Sequence, residues 1–492
     1  MSDTVELAQE SQQEAVAQSA SFLDMAVEAT KSSENNLVEQ LLKGLSNAAV
    51  DGAVVWDKNV TRTLKKAQSA VDQMISQQLN EIMHNEAFQK LEGSWRGLQH
   101  LVDNTETGSN LSIKMFDMKK LELHKDLTRA VEFDQSQMFK KIYEAEFGTP
   151  GGKPYGVMIG DYEFSNHPQD LDILEGMAGI GAASFCPFLT APAPGLFDLD
   201  SWDDLTQQRD LETLFGGKRH LQWRAFRKSD DAKFVVMTLP RVLARKAYGK
   251  DTMPVESFQY EEIPAGEYPS TKDFCWHNSA YALGACLTNA FAQYGWCTAI
   301  RGSEGGGKID NLPVHTYIGK DGDQEVVCPS EVLMTERRST ELDKLGFMPL
   351  SNFKDERFSV FFGGETVQQA PRFDDEEASE NAQISARLPY ILATSRVAHY
   401  LKVIARPMIG KNIETAEIER DLQKWIMGYV NTNEKSGHAA RAERPFRNAK
   451  IVVEPVPGQA GAYQAVAYLQ PWLQMESLTA SLRTVARIPE VS

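Results

Sequence analysis

The 492 residues contain no Cys-x-x-Cys, no His-Glu-x-x-His and no Gly-x-Ser-x-Gly. The first absence removes the usual thiolate clamp for zinc and the dithiol redox motif. The other two remove the helix-borne zinc protease and the serine-hydrolase elbow. Nine histidines are scattered without ligand spacing. No stretch approaches the roughly 20 apolar residues of a spanning helix. The first basic residue is Lys31, so no secretory leader is expected. Positive charge is also short: 51 Lys and Arg stand against 68 Asp and Glu, a net charge of −17. That balance argues against a nucleic-acid or anionic-membrane surface. Two local exceptions, Arg241 with Arg245 and Lys246, and Arg441 with Arg444 and Arg447, read as subunit-contact or solvated patches. The five cysteines are odd in number and read as reduced core residues of a cytoplasmic chain.

What is present is bulk. At 42% hydrophobic residues the chain has enough for packed cores, and its length exceeds one ordinary core. Residues 1–57 are rich in Gln, Ser, Ala and acids and read as an arm that orders on meeting a partner, with Ala53–Trp56 as a candidate β-element. A long helical stretch begins near Asn59. In its second half Phe88, Leu91, Trp95, Leu98 and Val102 recur at spacings of three and four, which predicts a buried face. Arg96, beside that seam, reads as a snorkelling side chain, with a structural ion pair as the sharper alternative.

Leu111, Ile113 and Met115 alternate with polar residues and predict a strand. Further strands are expected at 153–161, 185–189, 233–237, 296–301 and 357–362. Helices are expected near 138–147, 169–183, 202–215, 276–294 and 335–345. Strands alternating with helices make a mixed α/β (α+β) body the expected fold class. The acidic run Asp374–Glu377 suits a helix start near a boundary. Helices over 377–387, 390–405 and 415–430 then precede two β-rich segments. The expected division is an acidic arm over 1–58, a main α/β domain over 59–369 and a C-terminal domain over 370–492.

Three patterns imitate catalytic sites. Gly302–Lys308 matches the first seven positions of a phosphate-binding loop, but Ile309 stands where Ser or Thr should, and Asp310-Asn-Leu-Pro313 opens no helix. It reads as a tight loop that uses glycine for positive φ. Gly176–Gly181 lies late in a helix and reads as close packing rather than a dinucleotide fingerprint. His277 near Cys275, with His315 downstream, makes at most a weak thiol site. Neither cofactor nor metal is expected.

The segment AKIVVEPVPGQAGAYQAVAYLQPW, residues 449–472, reads as two strands around a Pro-Gly turn. A lone ribbon is marginal in water and offers unpaired backbone groups at its edges. Its place near the end of a large chain predicts completion by strands from other subunits. Pro455 and Pro457 lack N–H groups and restrict where a ladder runs. Ile451, Val453, Tyr463, Val466 and Tyr468 are the side chains expected at such a joint, or packed on the chain's own C-terminal helices.

Long blocks resemble one family, the large subunit of the contractile sheath of bacterial type VI secretion systems. They are HNEAFQKLEGSWRGLQHLV (84–102), KPYGVMIGDYEF (153–164), AFRKSDDAKFVVMTLPRVLARKAYG (225–249), GWCTAIRGSEGGGKIDNLPVH (295–315), TERRSTELDKLGFMPL (335–350), SARLPYILATSRVAHYLKVIAR (385–406) and the hairpin itself. The resemblance covers about residues 58–490, and the blocks run in the family's order.

It implies a one-to-one pairing with a small sheath subunit. The heterodimers would stack in six-fold helical layers around an inner tube of ring protein, primed by a baseplate at the inner membrane. The sheath contracts in the cytoplasm to drive out tube and spike, and an AAA+ unfoldase recycles it, chiefly through the small subunit. In such assemblies the hairpin is extended by neighbouring strands.

Glu417, Glu419, Arg420, Asp421 and Lys424, on the helix over 415–430, are expected to face tube rings. The alternatives are a nucleotide-using enzyme built on Gly302–Lys308, and a phage-tail sheath assembled from a single chain.

Overall fold

The computed structural model describes residues 60–472, apart from 208–209, 251, 257, 259, 264–268, 311, 319–322, 354–355, 409–414 and 456–462. The N-terminal arm with Ala53–Trp56, the Pro457–Gly458 turn and the segment after Trp472 lie outside the described residues.

Two compact units divide the described chain. Residues 60–89, 246–273 and Ile318 belong to the first; residues 90–245, 274–317 and 323–472 belong to the second. In the first, helix α1 (Val60–Met83) is held by polar ties. Asn80 donates to the Glu262 carbonyl at 3.0 Å and accepts from the Tyr260 hydroxyl at 2.7 Å.

Helix α2 (Glu86–Asp103) buries Gly93, Gly97 and Leu101. A Cβ at Gly93 would collide with the Trp276 carbonyl, and one at Gly97 with the Tyr281 ring. Small residues at i and i+4 let the backbone approach closely, so the larger apolar face is turned outwards. This corrects the sequence reading. Leu91 is 56% exposed, Trp95 58% and Val102 45%, and Phe88 is also exposed.

The segment that follows is corrected too. Residues 111–119 form no strand and pair with none among the described residues. Helix α3 (Lys120–Arg129) comes next, and then a helical turn at Gln137–Phe139 continues as π-helix over Lys140–Gly148.

The central sheet contains β1 (Met158–Phe164), β2 (Phe188–Pro192), β3 (Val235–Leu239), β6 (Lys308–Ile309), β9 (Met348–Asn352) and β10 (Ser359–Phe361). Their order is β1-β2-β3-β9-β10-β6. The first four are parallel, and β10 runs antiparallel to both its neighbours. Two-stranded ladders join β4 (Val242–Leu243) to β5 (Trp276–His277), and β7 (Thr316–Ile318) to β8 (Gln324–Val326).

Successive side chains of a strand point to opposite faces. Val235 and Met237 enter a core with Leu174 and Met177 of α4 (Pro168–Ser184). Val236 and Leu189 enter another with Leu283 and Leu287 of α5 (Ser279–Tyr294). Helices therefore cover both faces, as parallel strands require. The expected mixed helix-and-strand body is present. The strand expected at 296–301 is not; that stretch is irregular and leads into the Gly302–Lys308 loop. Helix α6 (Glu336–Lys344) precedes β9.

C-terminal to the sheet lie α7 (Glu376–Ser385), α8 (Leu388–Ala405), α9 (Thr415–Met427) and α10 (His438–Glu443). Asp375 caps α7 by accepting from the Glu377 N–H, as the acidic run predicts. The chain then forms β11 (Phe446–Pro455) and β12 (Tyr463–Pro471), the expected hairpin.

Candidate subunit-joining edges

The two edges of the hairpin are not equivalent. Helix α9 sends Leu422 and Ile426 into a core with Phe446, Ala449 and Ile451 of β11. The polar shoulder of the same helix closes the outer edge of β11. Gln423 donates to the Ala449 carbonyl at 2.9 Å and accepts from the Ile451 N–H at 2.8 Å. Its carboxamide thus imitates one peptide group of a neighbouring strand. Glu419 accepts from the Val453 N–H at 2.9 Å. Near the start of β11, the Asn431 N–H donates to the Phe446 carbonyl at 2.9 Å.

Antiparallel pairs alternate between bonded and non-bonded residues. Because the N–H groups of Ile451 and Val453 turn to α9, those of their partners Ala467 and Ala465 turn away from β11. Among the described residues, β12 pairs with β11 alone. Its outer edge is therefore an open row of donors and acceptors. Trp472 anchors the far end: its ring N–H donates to the Asn431 carbonyl at 2.9 Å, and the Arg441 guanidinium lies 4.4 Å from its ring centroid.

The expected joint residues fall into two groups. Ile451 is 1% exposed, and Val453 packs beside it, so both belong to the chain's own core. Tyr463 and Tyr468 are 54% and 59% exposed, and Val466 is half-buried. The charges of α9 divide as well. Glu417, Arg420, Asp421 and Lys424 form one exposed stripe, while Glu419 is drawn to the hairpin instead of facing outwards. Sequence reasoning missed Gln423, whose only signal was a polar residue one turn from Glu419 beside the apolar stripe.

The catalytic look-alikes resolve into packing. Gly302 and Gly306 adopt φ of 73° and 94°, as expected of a tight loop. Lys308 sits in an edge strand, pairs with Asp310 at 2.9 Å and lies over the Phe358 ring. Burial pushes the Cys275 thiol up to about 12 and His277 down to about 3, the reverse of an activated pair.

Arg245 is buried and contacts Glu92 at 2.6 Å; Arg96 reaches the same carboxylate at 2.9 Å. Burial alone would raise the Glu92 carboxyl, but the two guanidiniums hold it below its ordinary value. Arg96 is thus an ion-pair residue. Arg241, about a third exposed, pairs with Glu331 at 2.6 Å, so of the cluster expected as a subunit-contact or solvated patch Arg241 and Arg245 are both tied to carboxylates of the chain itself. Among the described residues no group of three or more His, Cys, Asp or Glu is placed to hold a metal, and no helix is long and apolar enough to cross a membrane.

One buried carboxyl carries a pH prediction. Burial and the nearby Glu365 push Asp343 from 3.8 up to about 7, against the pull of Arg301 and Arg387. The folded state then holds this proton more tightly than the unfolded chain, so its contribution to stability falls as pH rises across that window. Asp343→Asn should stabilise by roughly 2–4 kcal/mol at pH 8 and by much less near pH 4. Urea titration at the two pH values measures it; a loss of stability at pH 8 would mean that attraction to the arginines outweighs burial.

A mixed α/β body carries a two-stranded ribbon with one edge closed by α9 and the other open among the described residues. Residues 65–368 match the family described as EvpB/VC_A0108, tail sheath N-terminal domain, and residues 377–488 match its tail sheath gpW/gp25-like domain. The chain is 41% identical over 455 residues to the type VI secretion system sheath protein TssC1 of Pseudomonas aeruginosa, covering 92% of this chain and 91% of that one.

Among solved structures it is similar to the anti-feeding prophage helical sheath in its contracted state, at 12% identity and a TM-score of 0.31, over 63% of this chain and 66% of that one. It is also similar to the contracted sheath complex of an extracellular contractile injection system, PVC, at 10% identity and a TM-score of 0.34, over 63% and 68%. The chain belongs to the EvpB/VC_A0108 tail sheath family, the large sheath subunits of type VI secretion.

Proposed function

We propose that this chain pairs one-to-one with a small sheath subunit, and that the heterodimers polymerise into a six-fold helical sheath around an inner tube of ring protein. The open outer edge of β12 carries this reading. Strand addition gives directional main-chain bonds, and a head-to-tail contact that does not close generates a helical polymer. The sheath lies in the cytoplasm, docked on a baseplate at the inner membrane, and an AAA+ unfoldase recycles it, chiefly through the small subunit.

The chain works by packing and not by catalysis. Three parts serve this role: an acidic arm over 1–58, a main domain over 59–369 and a C-terminal domain over 370–492. The bounds of the two family matches support that division. Contraction is a passage between two packings of rigid subunits, with its free energy stored at assembly. Purified extended sheath should therefore contract without ATP; a strict requirement for ATP would reject this.

The exposed stripe of α9 faces the tube. Reversing Glu417 and Asp421 to Lys should block extended assembly in the presence of tube rings and leave the fold intact, as electron microscopy and circular dichroism would report. Normal extended sheaths would reject the tube contact.

A further inference from the structure

Helix α7 is an unpartnered helix. It buries none of its ten residues. A helix this short is marginal in water unless something packs on it. Its start is nonetheless fixed: Asp375 caps it, and the Ser379 hydroxyl donates to the Phe373 carbonyl at 3.0 Å and accepts from the Phe373 N–H at 2.9 Å. Phe373 is 54% exposed. Over residues 371–380 five acids stand against one arginine. Glu376, Glu377 and Glu380, at positions i, i+1 and i+4, share one side of the helix. All three are exposed, and among the described residues none forms an ion pair.

The opposite charge gathers at the entrance to the hairpin. Over residues 434–450 five Lys and Arg stand against two Glu, in a chain of net charge −17. Arg444, Arg447 and Lys450 are exposed. Arg447 lies 5.6 Å from the Trp472 ring centroid and reaches Glu434 at 2.5 Å, whereas Arg444 and Lys450 form no ion pair among the described residues. A guanidinium already held against an aromatic ring loses less freedom when a carboxylate arrives. Lys450 stands in register with Tyr468, which is 59% exposed, so the strip has an aromatic border.

We propose that α7 of one copy of this chain docks on the Arg444–Lys450 strip of a second copy, its acidic side against the cations and Phe373 against Tyr468. This rests on the sheath reading above. Copies of so acidic a chain repel one another, and α7 is attracted only where a second copy is basic. Of the two basic clusters, the one at Arg241 and Arg245 is tied to the chain's own carboxylates. The hairpin strip is left. Each copy offers both halves, so the contact is head-to-tail and repeats along a polymer. Its charge match sets which surfaces meet, while strand addition at β12 holds them.

The test uses the full chain co-expressed with the small sheath subunit and reads the share that sediments as tubules. Glu377→Lys with Glu380→Lys should cut that share by roughly tenfold or more, because like charges then face each other. Arg444→Glu with Arg447→Glu should do the same. Both pairs lie at exposed positions, so the thermal midpoint should stay that of the parent. All four substitutions in one chain should restore tubules, since opposite charges meet again. The neutral pair Glu377→Gln with Glu380→Gln keeps size and should make tubule yield less sensitive to salt than the parent's.

Normal tubules from either reversed pair would overturn the proposal, as would an unchanged salt response of the neutral pair. So would a fourfold variant that stays unassembled; that result assigns the two surfaces to the small subunit instead. Wild-type chain that forms no tubules with the small subunit would overturn the sheath reading beneath it.

Discussion

Ala465→Pro should leave the chain folded and abolish tubules. Ala465 lies on β12 opposite Val453, whose N–H is taken by Glu419 of α9. The N–H of Ala465 therefore faces away from β11, and its removal costs the hairpin no ladder bond. Proline there deprives an incoming strand of a donor and places a ring in its path. One unmade bond with its neighbour left unsatisfied costs about 2–3 kcal/mol per joint, or roughly 30- to 150-fold in each association constant. A polymer repeats this loss at every joint, so the visible effect is all or none. Far-ultraviolet circular dichroism should be unchanged, while negative-stain microscopy should find no sheath. Normal tubules from this variant would mean that β12 is not the joint.

Ile451→Asp and Tyr468→Asp should separate the two faces of the same hairpin. Ile451 is 1% exposed among Leu422, Ile426 and Phe446. A carboxylate among these apolar side chains is buried without compensation from them and leaves a void, a loss of about 3–5 kcal/mol. The C-terminal helices should loosen, and assembly should fail because the fold fails. Tyr468 is 59% exposed and belongs to the opposite face. Its replacement should leave the urea midpoint within about 0.5 kcal/mol of the parent and weaken assembly alone. Equal stability of the two variants would contradict the placement of Ile451 in the core.

The hairpin was legible in the sequence because strand alternation and a Pro-Gly turn are local signals. Which of its edges is open was not. That depends on Gln423 and Glu419, side chains of a preceding helix that reach the β11 backbone only in the folded chain. The same two contacts explain why Ile451 and Glu419 have inward roles.

Helix α2 shows a different limit. A period of 3.6 locates an apolar face but does not say whether the chain itself covers it. Gly93 and Gly97 were the available clue, since two glycines one turn apart allow close helix packing. Leu111, Ile113 and Met115 carry a valid strand pattern whose pairing is absent from the described chain. Both misreadings fall where the described chain leaves apolar side chains such as Trp95 and Met115 uncovered. That is where the pattern of a single chain is expected to be incomplete.

The alternation of strands and helices, the capped start of α7 and the reading of Gly302–Lys308 as a loop came through because each rests on short-range chemistry. The strand expected at 296–301 did not, because its apolar residues are buried in an irregular turn before the glycine loop.

The outer edge of β12, unpaired among the described residues, gives the proposed sheath role its physical content. The most direct measurement is electron microscopy of the full chain co-expressed with its small sheath subunit. The account predicts hollow tubules with a cogwheel cross-section that are lost with Ala465→Pro. A soluble monomer that ignores the small subunit and forms no tubules would contradict it.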